Sequence, residues 1–180
     1  KDEKFGNYNI SSNKIIKPKY KSILNPIGEN LYLVYDGNYG LLDKEGNGLL
    51  PIEYNNIEFW SDSTVLVEKG NAFKVVDVYS QKIYYEFNSY KTLQNGDHKI
   101  IQVLSDDGIG ILSNVFGMIL KPNYDEIRMI DYDNKIYFNG RQSIEEAKLL
   151  VNLLVDDQGK IIINQALNLD MEANFSCELN

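Results

Sequence analysis

Side chains able to do chemistry are few in this 180-residue chain. One histidine, His98, sits in the stretch Asn95-Gly96-Asp97-His98-Lys99, and one cysteine, Cys177, lies near the end. A histidine base needs a nucleophile to deprotonate and a third group to orient its ring, and a thiol metal centre needs several sulfurs or imidazoles. A single copy of each residue assembles neither, and no disulfide can close within the sequence. The carboxylates are scattered. Asp106-Asp107 and Asp156-Asp157 stand just ahead of Gly108 and Gly159, the composition of turns, and Glu145-Glu146 adjoin. Asp131-Tyr132-Asp133-Asn134 opens like a calcium loop, with acids at i and i+2. Its sixth residue is Ile136 rather than glycine and its twelfth is Gln142 rather than glutamate, so no metal is expected there. Two carboxylates facing each other across a cleft hydrolyse glycosidic bonds, but no spacing here places a pair that way. Phosphate loops, dinucleotide fingerprints, nucleophile elbows and paired-cysteine motifs are absent from the sequence. No catalytic residue, cofactor or metal ligand is assigned, and the chain reads as a non-enzyme.

The aromatic residues carry more information. There are 13 Tyr, 7 Phe and 1 Trp. Phe59 and Trp60 lie in a connecting segment between Glu58 and Asp62, and Tyr132 is flanked by Asp131 and Asp133. Aromatic rings beside charges at the surface are what protein interfaces use as anchors. Phe59, Trp60, Asp62, Asp131, Tyr132 and Asp133 are therefore the candidate partner-binding residues. Trp60 has a competing role as packing against a neighbouring unit, because burying an indole is strongly favourable.

These residues must be positioned by a repeated element. Its clearest copy is YGLLDKEGNGLLPIEYNNI, Tyr39 to Ile57. Tyr39 to Asp43 alternates as a strand, Lys44 to Gly48 holds the glycine and asparagine of a reversal, and Leu49-Leu50 begin a second strand that Pro51 is expected to end. Gly110 to Tyr124 repeats the Gly40 to Tyr54 pattern, and Lys14 to Ile23 aligns with Met118 to Ile127. Tyr20 and Tyr54 are 34 residues apart, and Tyr54 and Tyr124 are 70 apart, twice 35. The hidden unit between them is Ala72 to Phe87, with Asp77 under Asp43 and Lys74 in place of the glycine; Leu153 to Ile163 is a fifth copy. A period of this length calls for stacked units that bury their apolar faces on one another.

The pattern of aromatic-Gly, two apolar residues, Asp, a glycine turn, an apolar strand, Pro and Tyr resembles the bacterial WG-type repeat over roughly Lys14 to Leu167. Tyr39-Gly40 stands where that family has Trp-Gly, Ile109-Gly110 matches less well, and Phe73-Lys74 departs from it. The resemblance implies a repeat scaffold that binds other molecules, and it brings no catalytic residues. The expected fold is all-β: a single repeat domain of about five short hairpin units near 14–38, 39–72, 73–108, 109–152 and 153–180. A propeller-like closure is expected, with an open β solenoid as the alternative. Residues 1–13 read as a loosely ordered lead-in. In the stretch Arg141 to Leu154, Ser143 and Glu146 have capping-box spacing, and Ile144, Ala147, Val151 and Leu154 fall near helical spacing. A short inserted helix is expected from about Ser143 to Leu150.

A net charge of -8 and a pI near 4.7 exclude nucleic acid, whose phosphates require clustered Lys and Arg, and favour a basic protein partner. No apolar run approaches the roughly 20 residues of a membrane-spanning helix. With Lys1 first and no signal-peptide pattern, cytoplasmic and exported locations both stay open. The expected function is that of a non-enzymatic protein-binding domain with an acidic, aromatic-bearing surface, of the kind an immunity-type inhibitor uses to cover a toxin. The alternative is a carbohydrate- or cell-surface-binding repeat protein with Trp and Tyr platforms. A small-molecule ligand is not expected.

Overall fold

The computed structural model describes residues 3–9, 14–27 and 31–168, so Cys177 and most of the tail lie outside the described residues. The chain divides into two compact units, Lys1–Asn88 and Ser89–Asn180. Both are built from antiparallel meanders whose strands follow sequence order.

In the first unit, β1 (Phe5–Asn9) pairs with β2 (Lys14–Tyr20) as a two-stranded sheet. The next sheet holds β3 (Ser22–Ile27), β4 (Leu31–Tyr35), β5 (Tyr39–Asp43) and β6 (Gly48–Tyr54). A third holds β7 (Asn56–Ser61), β8 (Thr64–Lys69), β9 (Ala72–Asp77) and β10 (Ile83–Phe87). Strand alternation sends adjacent residues to opposite faces. Leu41 and Leu50 of the β3–β6 sheet pack with Ile57, Val65 and Val67 of the β7–β10 sheet, while Leu42 and Val34 pack with Tyr20 on the other side.

The second unit repeats the plan. One sheet holds β11 (Ser89–Gln94), β12 (Ile100–Ser105), β13 (Gly108–Ser113) and β14 (Gly117–Tyr124), and the other holds β15 (Glu126–Tyr132), β16 (Lys135–Ile144), β17 (Leu149–Asp156) and β18 (Ile161–Asn168). Between them lie Ile100, Ile111, Leu120 and Tyr124 from one sheet and Phe138 and Val155 from the other. Among the described residues the sheets are open, and none closes into a barrel.

The sequence reading is corrected in three places. The helix expected over Ser143 to Leu150 is absent. Ser143 pairs with Leu150 and Ile144 with Leu149 across a hairpin whose tip is a single 3₁₀ turn, Glu145–Ala147, closed by Lys148 at φ 51°. The apolar residues read as a helix face are instead ladder residues. The separation of Asp43 and Asp156, 113 against 105 for three periods, has the same origin. The β16–β17 hairpin spans 22 residues where β12–β13 spans 14. The extra length is longer strand.

Pro51 does not end its strand either: β6 runs on to Tyr54, as β14 runs past Pro122 to Tyr124. Both are edge strands, where a missing donor forfeits no ladder bond, and the pairing shifts register beside each proline. Finally, the lead-in over 1–13 contains β1. Phe5 pairs with Tyr20 and Asn7 with Ile16, the same offsets that join Tyr39 to Tyr54 and Leu41 to Leu50. Phe5-Gly6 is thus a further aromatic-glycine copy, on a hairpin matching strands three and four of a full sheet.

Candidate functional site

Each four-stranded sheet turns from its third to its fourth strand around one acceptor side chain. The Asp43 carboxylate accepts from the backbone N–H of Glu45 at 2.9 Å and of Asn47 at 2.8 Å, and from Asn47 Nδ2 at 2.7 Å. Asp77 accepts from Ser80 N and Ser80 Oγ, both at 2.8 Å, and Asp156 from Lys160 N at 2.8 Å and Gln158 N at 3.1 Å. In the β11–β14 sheet a hydroxyl takes the place of the carboxylate: Ser113 Oγ accepts from Val115 N and Phe116 N, each at 3.1 Å. Burial pushes the Asp43 carboxyl up, but the hydrogen bonds from Asn47, Glu45 and Gly46 outweigh it and hold the group below the usual carboxylate range. Asp77 is lowered chiefly by the N–H and hydroxyl of Ser80. These acids stabilise turns.

A second device fastens the β7–β10 sheet to the β3–β6 sheet, and the β15–β18 sheet to the β11–β14 sheet. The residue after the repeat tyrosine turns its side chain to the second strand of the following sheet or to the turn that ends that strand. Asn55 Oδ1 accepts from Gly70 N at 2.7 Å, and Asp125 Oδ2 accepts from Ser143 N at 2.6 Å. The backbone N–H groups of Asn55 and Asp125 donate in the same direction, to Glu68 O and Arg141 O. Tyr124 itself lies over Gly140, where an added Cβ would come within 2.7 Å of the ring, and burial raises its hydroxyl pKa as it does that of Tyr54. Neither clamp nor serine turn is marked in the sequence by a motif, because each is visible only once the strands are paired.

His98 Nε2 lies 3.1 Å from Ser113 Oγ, and its ring meets Phe116 edge-on at 5.3 Å. The distance would suit a base and a nucleophile. Ser113, however, is 1% exposed and its Oγ already accepts two turn amides, so the pair braces a hairpin. Among the described residues no three of His, Cys, Asp and Glu gather as metal ligands, and no helix is long and apolar enough to cross a membrane.

The six candidate partner-binding residues lie at the end of the first strand of a sheet and in the turn to its second strand, one trio in each unit. Phe59 is half-buried on β7, and Trp60 is 4% exposed, its indole in the interior. Asp62 is exposed in the β7–β8 turn, which Ser61 Oγ and Thr64 Oγ1 bridge at 2.6 Å. The second trio is presented differently. Tyr132 pairs with Lys135 across Asp133 and Asn134, whose φ of 54° and 57° give the mirror-image turn favoured by tight hairpins. Tyr132 is 72% exposed, and Asp131 and Asp133 are exposed beside it. Behind the ring, Ile130, Tyr137, Leu154 and Ile162 line an open apolar hollow of about 240 Å³.

Comparison with known proteins agrees with the repeat. Residues 39–71 match the family described as WG containing repeat, which covers β5 to the turn after β8. No curated protein matches the chain. Among solved structures it is similar to one titled dihydro-heme d1 dehydrogenase NirN in complex with DHE, at 12% identity and a TM-score of 0.36 over 91% of this chain. The match spans 42% of that protein's length.

Proposed function

From the premise that the chain carries a WG-type β repeat, we propose that it is a non-enzymatic protein-binding domain whose four-stranded sheets are arranged in a propeller-like array. One observation carries the binding reading. Tyr132, 72% exposed, stands on a tight two-residue turn between two carboxylates, with an apolar hollow behind it. A ring held rigidly contributes contact area at little cost in conformational entropy, and its flanking charges select the partner's sign. The partner is a basic protein, in keeping with the chain's net charge of -8. An immunity-type inhibitor that covers a basic toxin is the specific form of this reading, since all the acids bracketing the third-to-fourth turns serve the fold.

The test is a pull-down of the tagged chain from lysate and secreted fractions of its source, beside a variant carrying Asp131→Asn, Tyr132→Ala and Asp133→Asn. Trp60 is left intact, because replacing a buried indole would disturb the fold. The expected result is one stoichiometric basic protein retained by the original chain and lost by the variant. Equal retention by both would remove this turn from the interface, and enrichment of polysaccharide without protein would replace the reading with surface-glycan binding.

A further inference from the structure

An asparagine followed by glycine carries its own electrophile and nucleophile, because the amide nitrogen of a residue with no Cβ can approach the preceding side-chain carbonyl. The sequence holds three such pairs, Asn47-Gly48, Asn95-Gly96 and Asn139-Gly140. Two of them are locked by the fold. Asn139 faces Arg128 and Leu154 across the ladders on either side of β16, and Gly140 faces Ile127 and Leu153, so closing a ring there would break both ladders. Asn47 donates Nδ2 to Asp43 Oδ2 at 2.7 Å and its backbone N–H to Asp43 Oδ1 at 2.8 Å, and Gly48 pairs with Leu42. Asn95-Gly96 is held by neither device. It lies in the loop between β11 and β12, both residues are exposed, and a Cβ added at Gly96 would meet nothing within 4 Å. The Gly96 N–H donates to Asn95 Oδ1 at 3.0 Å. The carbon bonded to that oxygen therefore lies no more than about 4.2 Å from the nitrogen, a C=O bond being about 1.23 Å long.

We propose that Asn95 is a site of spontaneous deamidation, selected from the three pairs by the fold. The Gly96 N–H gives up its proton as the nitrogen bonds to Asn95 Cγ. The Cγ–Nδ2 bond then breaks, Nδ2 takes up a proton, and ammonia leaves behind a cyclic imide joining residues 95 and 96. Water opens the imide at either carbonyl to give aspartate or isoaspartate. One water is consumed and one ammonia released, and no other reactant is needed. The backbone must turn at Asn95 for the ring to close, and the free space around Gly96, at φ 122°, leaves room for it. The far side of the loop stays fastened, since Asn114 Nδ2 donates to Asp97 O at 2.9 Å and Asn114 Oδ1 accepts from Lys99 N at 2.7 Å. The product adds a carboxylate close to Asp97 and makes the chain one charge more negative than -8. The change is irreversible, so this loop records the age of the folded chain.

The test is incubation of the folded chain in mildly alkaline buffer made with water enriched in heavy oxygen, followed by digestion and mass spectrometry of the peptides. Asn95 is expected to take up heavy oxygen and to form isoaspartate, read by methyl transfer from an isoaspartyl methyltransferase. Its rate is expected to exceed those of Asn47 and Asn139 by about tenfold or more, because those two react only from locally opened states. In concentrated urea the three rates should converge, since glycine follows each asparagine. Asn95→Gln, whose longer side chain closes a less favourable ring, should melt as the parent does and lose heavy-oxygen uptake at this peptide. Equal rates at the three sites in the folded chain, or conversion of Asn95 without isoaspartate, would overturn the proposal.

Discussion

Gly110 shows how little room the repeat leaves at its glycine. A Cβ built there would come within 2.7 Å of Leu120 O and 2.8 Å of Pro122 N, both backbone atoms of the neighbouring strand. At Gly40 the closest atom is Ile52 Cγ1 at 2.7 Å, on a side chain 38% exposed and able to swing aside, with the Ile52 backbone at 3.1 Å. The glycine and the proline are one feature, since the irregular pairing beside Pro51 or Pro122 drives the edge strand against its neighbour. Where Lys74 replaces the glycine, β10 has no proline, and Lys74 pairs with Glu86 in the ladder with their charges 3.0 Å apart. Gly110→Ala is therefore expected to cost about 1–3 kcal/mol, and Gly40→Ala less, because the former must move backbone further. Urea denaturation of the two variants measures this, and equal losses would contradict the assignment. The glycine was legible in the sequence as a recurring position. Its cause was not, because the clash partner is set by the pairing of two strands.

The hairpin is the element that the sequence reveals best, because its strand lengths and turn residues are local and recur at a fixed spacing. Asp133-Asn134 could be read as a turn for the same reason. The stretch Ser143 to Leu150 could not be read correctly: capping-box spacing and apolar periodicity fit a helix, and pairing of Ser143 and Ile144 with Leu150 and Leu149, which pair in turn with β18, decides for strand. Turn chemistry yields a prediction at this scale. Asp43 and Asp77 have folded pKa values below the usual carboxylate range, so the stability they contribute is fully present above the unfolded value near 3.9. It is lost as pH falls through their lower folded values, where the native carboxylates take up the protons that the unfolded chain already holds. The Ser113 hydroxyl has no such transition. On acidification from about pH 5 downward, amide exchange should accelerate first around residues 44–47 and 79–82. The turn at 114–116 should hold its protection longer, and simultaneous loss at all three turns would show that the carboxylates are not the acid-sensitive groups.

Across the whole molecule, apolar burial is organised by neighbouring sheets, and that decides what a core substitution reaches. The burial of Trp60 belongs to this scale. Burial is decided by packing rather than by local sequence, so the sequence left its role divided between anchor and packing, while Tyr132, placed by its own turn, was easier to place at the surface. Phe138 is 0% exposed, and among the described residues its core draws on β11 to β17. Among the described residues, the core around Leu41 and Val65 draws on β4 to β9 and the turn after β9. Phe138→Ala removes a fully buried ring and is expected to cost about 3–5 kcal/mol, a large share of the stability of a domain of this size. That loss falls on the sheets sharing the cavity. Hydrogen exchange of the variant should show reduced protection throughout β11 to β18 with β3 to β6 close to the parent, because among the described residues the cluster around Phe138 is built from β11 to β17. Uniform loss from β3 to β18 would instead make the chain a single cooperative block.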